Sequence, residues 1–215
     1  TDHPRYKTLG TKVGDEYIQL NTAIIQIENE YYSSIRPKRL VGSGERPINA
    51  LRENGIEYVE IRALDNNIYD PFGISDETAI FLESFLFYCL LSEDQPCDAD
   101  EISKIQNNWG NVVLSGRDED LKLHLKEGSV LLRDKAAEIL NAMTNFESRI
   151  GDQEYRDLFK RSLKSQRQKI SDSNMTPSGK LLQEINLSGL TWDDYTDLIA
   201  KSHKEEILKS KRDVH

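Results

Sequence analysis

Near residue 75 the hydrophobic pattern changes its period, and this change constrains the fold more than any other feature of the chain. Before it, apolar–polar alternation and turn residues dominate; after it, apolar residues recur at helical spacing. Lys12-Val13-Gly14-Asp15 is a turn signal between residues 6–9 and 17–21, which together are predicted to form a hairpin. Further strands are predicted over residues 24–32 and, most regularly, 56–63, with Gly42-Ser43-Gly44 and Asn54-Gly55 as punctuation between them. The expected class is α+β: a β-sheet region over residues 1–75, then a helical region over 76–215 packed on the sheet.

The helical half carries readable start signals. Ser75 is placed to cap a helix whose first turn holds Asp76 and Glu77, where acids complement the helix dipole. Phe81, Leu82, Phe85, Leu86, Phe87 and Tyr88 make that helix apolar nearly all round, which predicts a buried core element. Asp98 with Glu101 suggests a capping pair for a short helix ending near Trp109. Ser129 is expected to open a longer helix striped by Leu132, Ala136, Ile139, Met143, Phe146 and Ile150. Thr176-Pro177 puts proline at a first helical position, and Thr191 begins a last helix. The cations between residues 156 and 169, and those of 201–212, read as solvated helix faces, with a phosphate-binding patch as the alternative for the first run.

Bulk properties exclude several classes. The 215 residues carry a formal net charge of −9, which gives nucleic-acid or anionic-membrane binding no electrostatic support. The longest apolar block, residues 80–91, is interrupted by Glu83 and Ser84 and is too short to span a bilayer. The opening residues lack the apolar stretch of a secretory signal. Cys89 and Cys97 are too few for a disulfide framework, so a reducing, cytoplasmic setting is expected; Cys89 reads as core packing and neither thiol as functional. The chain starts without Met inside a polar stretch, as a piece of something larger would. Walker-type, GxGxxG, HExxH and CxxC signatures are absent.

The segment that could carry chemistry is residues 55–65. On a strand, Tyr58, Glu60 and Arg62 share one face, while Val59, Ile61 and Ala63 share the other and can pack under helices such as 80–91. Glu60 and Arg62 then stand roughly 7 Å apart along the strand. A carboxylate is a hard oxygen ligand for Mg²⁺, and a guanidinium neutralises charge on a transferring phosphate. A solvent-facing pair on a half-exposed antiparallel sheet would show the same alternation. Upstream, Gln26, Glu28, Glu30 and Tyr32 would share a face and lead into a loop holding Arg36, Lys38 and Arg39. These acids and cations either neutralise one another at the surface or line a site for an anionic substrate and a metal nucleotide.

Gln26-Ile-Glu-Asn-Glu-Tyr-Tyr32, Ile35-Arg-Pro-Lys-Arg39, Ser43-Gly-Glu45 and Gly55-Ile-Glu-Tyr-Val-Glu-Ile-Arg-Ala-Leu-Asp65, followed by Asn108-Trp109 and Gly116-Arg117, resemble the bacterial class of glutamate–cysteine ligases. The resemblance implies a glutamine-synthetase-like antiparallel sheet, present here in part, and the C-terminal portion of an enzyme of that family. It implies ATP-dependent joining of the γ-carboxyl of L-glutamate to the amine of L-cysteine through a γ-glutamyl phosphate, the first step of glutathione biosynthesis. By position, Glu60 is similar to a Mg²⁺ ligand of the family, Arg62 to the arginine holding the transferred phosphoryl group, and Tyr32 to a tyrosine of the cysteine subsite. Arg36 lies in the matching basic loop and is taken as substrate-binding, while Lys38 and Arg39 receive no individual role. ATP, L-glutamate, L-cysteine and the remaining portion of the enzyme are the implied partners, with neither nucleic acid nor membrane. Family members are much longer and draw most of their metal-binding acids from an earlier part of the chain, so this chain alone is expected to be inactive. The alternatives are an interaction module that has kept the sheet without its chemistry, and a sibling ligase using another amine acceptor.

Overall fold

Four short strands of the first unit pair as two separate antiparallel ribbons, and short helices sit between them. The computed structural model of the protein describes residues 2–26, 33–93 and 96–212. It divides into two units, Thr1–Asp65 and Asn66–His215. With three two-stranded antiparallel ribbons and eight α-helices among the described residues, the fold is α+β, as expected.

In the first unit, Gly14 (φ 61°) and Asp15 turn between β1 (Lys12–Val13) and β2 (Glu16–Tyr17), so only the second half of the expected turn is turn, Lys12 and Val13 are strand, and the predicted strand over 17–21 ends at Tyr17. The predicted strand over residues 6–9 is instead helix α1 (Pro4–Leu9). Pro4 presets the first helical φ, and Gly10, at φ 72°, closes the helix by donating its N–H to the Tyr6 carbonyl. Residues 24–26 form no strand, and the rest of the predicted strand, residues 27–32, lies outside the described residues. The expected basic loop is a strand over much of its length: β3 (Ile35–Lys38) pairs with β4 (Tyr58–Ile61). Pro37 is tolerated there because a two-stranded ribbon leaves each strand an open edge. Between them runs α2 (Pro47–Asn54), which alternation did not reveal. Pro47 starts it, Gly55 (φ 77°) ends it, and Ala50 is its buried residue. Val59 and Ala63 are exposed, so the ribbon's apolar face is not the covered surface the alternation suggested.

In the second unit, α3 (Asp76–Leu91) starts as read, with the Ser75 hydroxyl accepting from Thr78 N–H. It is not buried all round. Phe81, Phe85 and Tyr88 pack on the core, whereas Phe87, Leu90 and Leu91 are exposed, as is Cys89. Partial burial nonetheless pushes the Cys89 thiol above its ordinary range, which suits an unreactive thiol. α4 (Ala99–Ser115) is capped by Asp98 as expected but runs a turn and a half beyond Trp109. Ser129 lies in a strand rather than opening a helix: β5 (Lys122–Leu125) and β6 (Gly128–Leu131) form a hairpin whose turn needs Gly128 at φ 137°. α5 (Leu132–Thr144) begins directly after it. Its apolar stripe is shared with a 3₁₀ turn, Glu147–Arg149, which carries Phe146 and Ile150 onto the core.

That core is Leu140 and Met143 from α5 with Phe159 and Leu163 from α6 (Gln153–Ser171). Three cations of α6 are tied to neighbours. Lys160 lies 3.0 Å from Glu147, Arg167 donates to Asn141 and Thr144, and Arg156 donates to the Ile150 carbonyl. Fully buried Ser162 donates to the Glu77 carbonyl at 2.6 Å, joining α6 to α3. α7 (Pro177–Ser188) is capped by Thr176. It passes so close to the preceding 3₁₀ turn that a Cβ at Gly179 would stand 2.5 Å from the Ser173 carbonyl oxygen. Glu184 accepts from the hydroxyls of Tyr69 and of Tyr195 in α8 (Trp192–Arg212), locking residues 66–73 to both helices. No described helix is long and apolar enough to cross a membrane.

Phe159 is 1% exposed and sits where three helices meet, so Phe159→Ala removes a large side chain from a site that cannot collapse. The expected loss is about 3–5 kcal/mol, read as a lowered urea midpoint at unchanged slope. Leu187→Ala, at a position 87% exposed, is expected to shift the midpoint by less than about 0.5 kcal/mol.

Candidate functional site

The β3–β4 register decides which side chains meet. Arg36 stands opposite Glu60 and Lys38 opposite Tyr58. Directly opposed residues share a face in an antiparallel pair, so Arg36, Lys38, Tyr58 and Glu60 project together, and Arg62 follows Glu60 by one full pleat period. The alternation of residues 56–63 anticipated the Tyr58, Glu60 and Arg62 half of this face. The other half comes from across the ribbon.

On this face Glu60 is held from two sides. Arg62 Nη2 lies 2.8 Å from Glu60 Oε1, and Lys38 Nζ lies 3.2 Å from Oε2. All three side chains are about one-third exposed, between 31% and 34%, so water screens the pairs only in part. The hydrogen bond from Arg62, helped by Lys38, holds the Glu60 carboxyl below its ordinary value, against the opposite pull of partial desolvation. Glu60 is therefore an anion across the physiological range. Arg36 is half-buried opposite it and has no ion-pair partner among the described residues. Among the described residues one carboxylate stands between three cations on this face, an arrangement suited to an anionic ligand.

Arg39 does not join the cluster. Its guanidinium donates to the carbonyls of Asn54 and Gly55 at 2.7 and 3.2 Å, satisfying the C-terminal end of α2. Glu57, on the opposite face, accepts from Leu40 N–H at 3.1 Å. Arg39 and Glu57 thus hold α2 and the strand ends in place. Lys38 is the site residue to which the sequence alone gave no role, because only the cross-strand register shows it reaching Glu60. Tyr32 lies outside the described residues.

Glu60 fits a Mg²⁺ site as one hard oxygen ligand, with Oε2 the more loosely held oxygen. It does not make a site unaided: among the described residues no group of three or more His, Cys, Asp or Glu could hold a metal ion. Two further sequence landmarks act structurally. The Asn108 side chain donates to the His124 carbonyl and accepts from the His124 N–H, both at 2.8 Å, pinning β5 to α4. Gly116 ends α4 so tightly that a Cβ there would meet the Val112 carbonyl oxygen at 2.5 Å.

Residues 1–112 match the protein-family model described as glutamate-cysteine ligase. A glutamate–cysteine ligase of Pseudomonas putida is 40% identical over 185 residues, covering 86% of this chain and 35% of that protein. One from Alcanivorax borkumensis is 37% identical over 221 residues, covering 99% and 41%. Among solved structures, a Francisella tularensis glutamate–cysteine ligase in complex with AMP superposes with a TM-score of 0.76 at 34% identity, covering 95% of this chain and 40% of that one. The chain thus spans about two-fifths of the length of these relatives.

The two-sided grip on Glu60 is testable by titration. Because its pKa is lowered on folding, the interaction stabilises the fold above the ordinary glutamate range near 4.3, and this stabilisation is lost as pH falls through the folded value. Carboxyl NMR is expected to show Glu60 titrating below ordinary glutamate, with Arg62→Ala raising its midpoint more than Lys38→Ala does. An unshifted midpoint in the parent chain would refute the arrangement.

Proposed function

Because the chain belongs to the glutamate–cysteine ligase family, we propose that its β3–β4 ribbon is part of the site that joins the γ-carboxyl of L-glutamate to the amine of L-cysteine at the expense of ATP. One observation carries this reading: Glu60 and Arg62, 2.8 Å apart, share a face with Lys38 and Arg36. The AMP bound by the Francisella tularensis relative supports a nucleotide as co-substrate.

In this scheme a γ-carboxylate oxygen of glutamate attacks the γ-phosphorus of ATP and ADP departs, leaving a γ-glutamyl phosphate. The cysteine amine then attacks the acyl carbon, inorganic phosphate leaves, and the nitrogen gives up a proton. Charge builds on the transferring phosphoryl oxygens in the first step and on the departing phosphate in the second. Arg62 is the residue we assign to that charge, since a guanidinium presents two parallel donors to phosphate oxygens. Glu60 fixes the guanidinium by its hydrogen bond, which removes rotamer freedom before substrate arrives. Arg36, which stands opposite Glu60, is the residue we assign to a substrate carboxylate. Tyr32 is proposed for the cysteine subsite by resemblance alone. Mg²⁺, with Glu60 among its ligands, would supply further neutralisation of the phosphate charge. The proposed setting is the cytoplasm, where ATP and reduced cysteine occur together.

The described residues bring one acidic metal ligand, so on this reading turnover needs further acids of the kind the family carries elsewhere. The chain assayed alone is expected to release no ADP in response to glutamate and cysteine. Co-expression with the remaining residues of a full-length relative is expected to restore turnover, and Arg62→Ala to lower kcat about 10²- to 10³-fold in that complex. Restored turnover that Arg62→Ala leaves unchanged would sink the assignment. Turnover with an amine other than cysteine would redirect it to a sibling ligase.

A further inference from the structure

α4 is packed with its polar side inward. Its half-buried residues include Glu101, Lys104 and Asn108, which lie toward the β5–β6 hairpin: Asn108 bonds the His124 backbone twice, and Glu101 lies 3.9 Å from Lys126. At about 100° per residue, Ile102, Ile105, Trp109, Val112 and Val113 fall within one arc of about 100° beside that polar side, with Ile105 at its edge lining the cleft against the hairpin. All five are exposed, Trp109 by 52% and Val113 by 68%. No charged residue of α4 falls in this arc, so it is a continuous apolar stripe, about 16 Å long, with a tryptophan at its centre. A helix that turns such a stripe to water while burying its polar side has a partner surface elsewhere.

The chemistry of the stripe and its borders indicates the partner. A membrane-surface helix is flanked by Lys and Arg, but this stripe is bordered by Gln106 and Glu101, in a chain of net charge −9. An uncharged stripe of aliphatic side chains around one indole fits an apolar protein surface. The relatives supply a source for it. The Francisella tularensis ligase matches 95% of this chain with only 40% of its own length, so three-fifths of that protein lies outside the matched stretch and is available to cover the stripe. We infer that the outward stripe of α4 is the docking surface for the part of the ligase that these relatives carry beyond the residues matched here. The inference rests on the ligase reading for the identity of the partner, not for the existence of the surface.

The test co-expresses the 215-residue chain with a polypeptide comprising the Francisella tularensis ligase residues outside the matched stretch. The two are expected to co-purify at equal stoichiometry. The pair I105D/W109D is expected to reduce recovery at least tenfold, whereas L187D, on an exposed apolar residue of α7, leaves it unchanged. In a Trp192→Phe background, Trp109 emission is expected to be quenched freely by acrylamide in the chain alone and to be shielded in the complex. Failure of the parent pair to co-purify, equal loss with L187D, or an unshielded Trp109 in the complex would each overturn the inference. So would a dimer of the chain alone that I105D/W109D dissociates, since a second copy would then own the stripe. A complex that forms through α4 yet has no ligase turnover would contradict the proposed function and leave the docking surface standing.

Discussion

The antiparallel register that sets Arg36 opposite Glu60 is the constraint on which the site depends. Side chains alternate with period two, so sliding β3 by one residue would turn Arg36 and Lys38 to the other face and leave Glu60 with Arg62 alone. In the observed register the carboxylate is contacted along its own strand by Arg62 and across the ribbon by Lys38. Both contacts favour ionised Glu60, and in return Glu60 restrains two long cationic side chains that would otherwise sample many rotamers. The residues that hold this ribbon in shape are different ones. Arg39 closes α2 and Glu57 accepts from Leu40, so the ion-paired cluster and these local structural contacts use opposite faces of the same strand ends.

Much of this was legible in the sequence, and the misses have physical causes. Alternation over residues 56–63 placed Glu60 and Arg62 on one face because a strand's period depends only on backbone geometry. Helix starts at Ser75, Asp98, Thr176 and Thr191 were readable because a side-chain oxygen accepting from an N–H two or three residues on is a local event. The role of Lys38 was not readable, since it depends on pairing between segments more than 20 residues apart. Residues 6–9 read as strand but fold as helix, and residues 47–54, for which the pattern gave no element beyond the Asn54-Gly55 turn signal, are helix as well. In both, a leading proline and a closing glycine at positive φ override a short and ambiguous apolar pattern. α3 shows another limit, because hydrophobicity all round a helix does not say how many neighbours are present to cover it.

The helical unit is organised on a different principle. Its core gathers around Met143 and Phe159, with Ser162 as a buried hydrogen-bonded strut to α3, and three cations of α6 are tied to neighbours. α4 departs from this pattern, since its bonds to the β5–β6 hairpin are polar while Ile102, Trp109, Val112 and Val113 are exposed. In the ribbon unit likewise, the cation-rich face is half-open. Both features suit a chain that spans about two-fifths of its relatives' length.

The central claim is that Glu60 immobilises the Arg62 guanidinium before any ligand binds. Rotation about the Arg62 guanidinium bond, followed through its Nη–H resonances by NMR in the ligand-free chain, measures this directly. The account predicts slow rotation and resolved signals in the parent chain, and measurably faster rotation in Glu60→Gln. Fast averaging in both would mean that the guanidinium is free in solution, and the ribbon would then not be a preformed phosphoryl-handling surface.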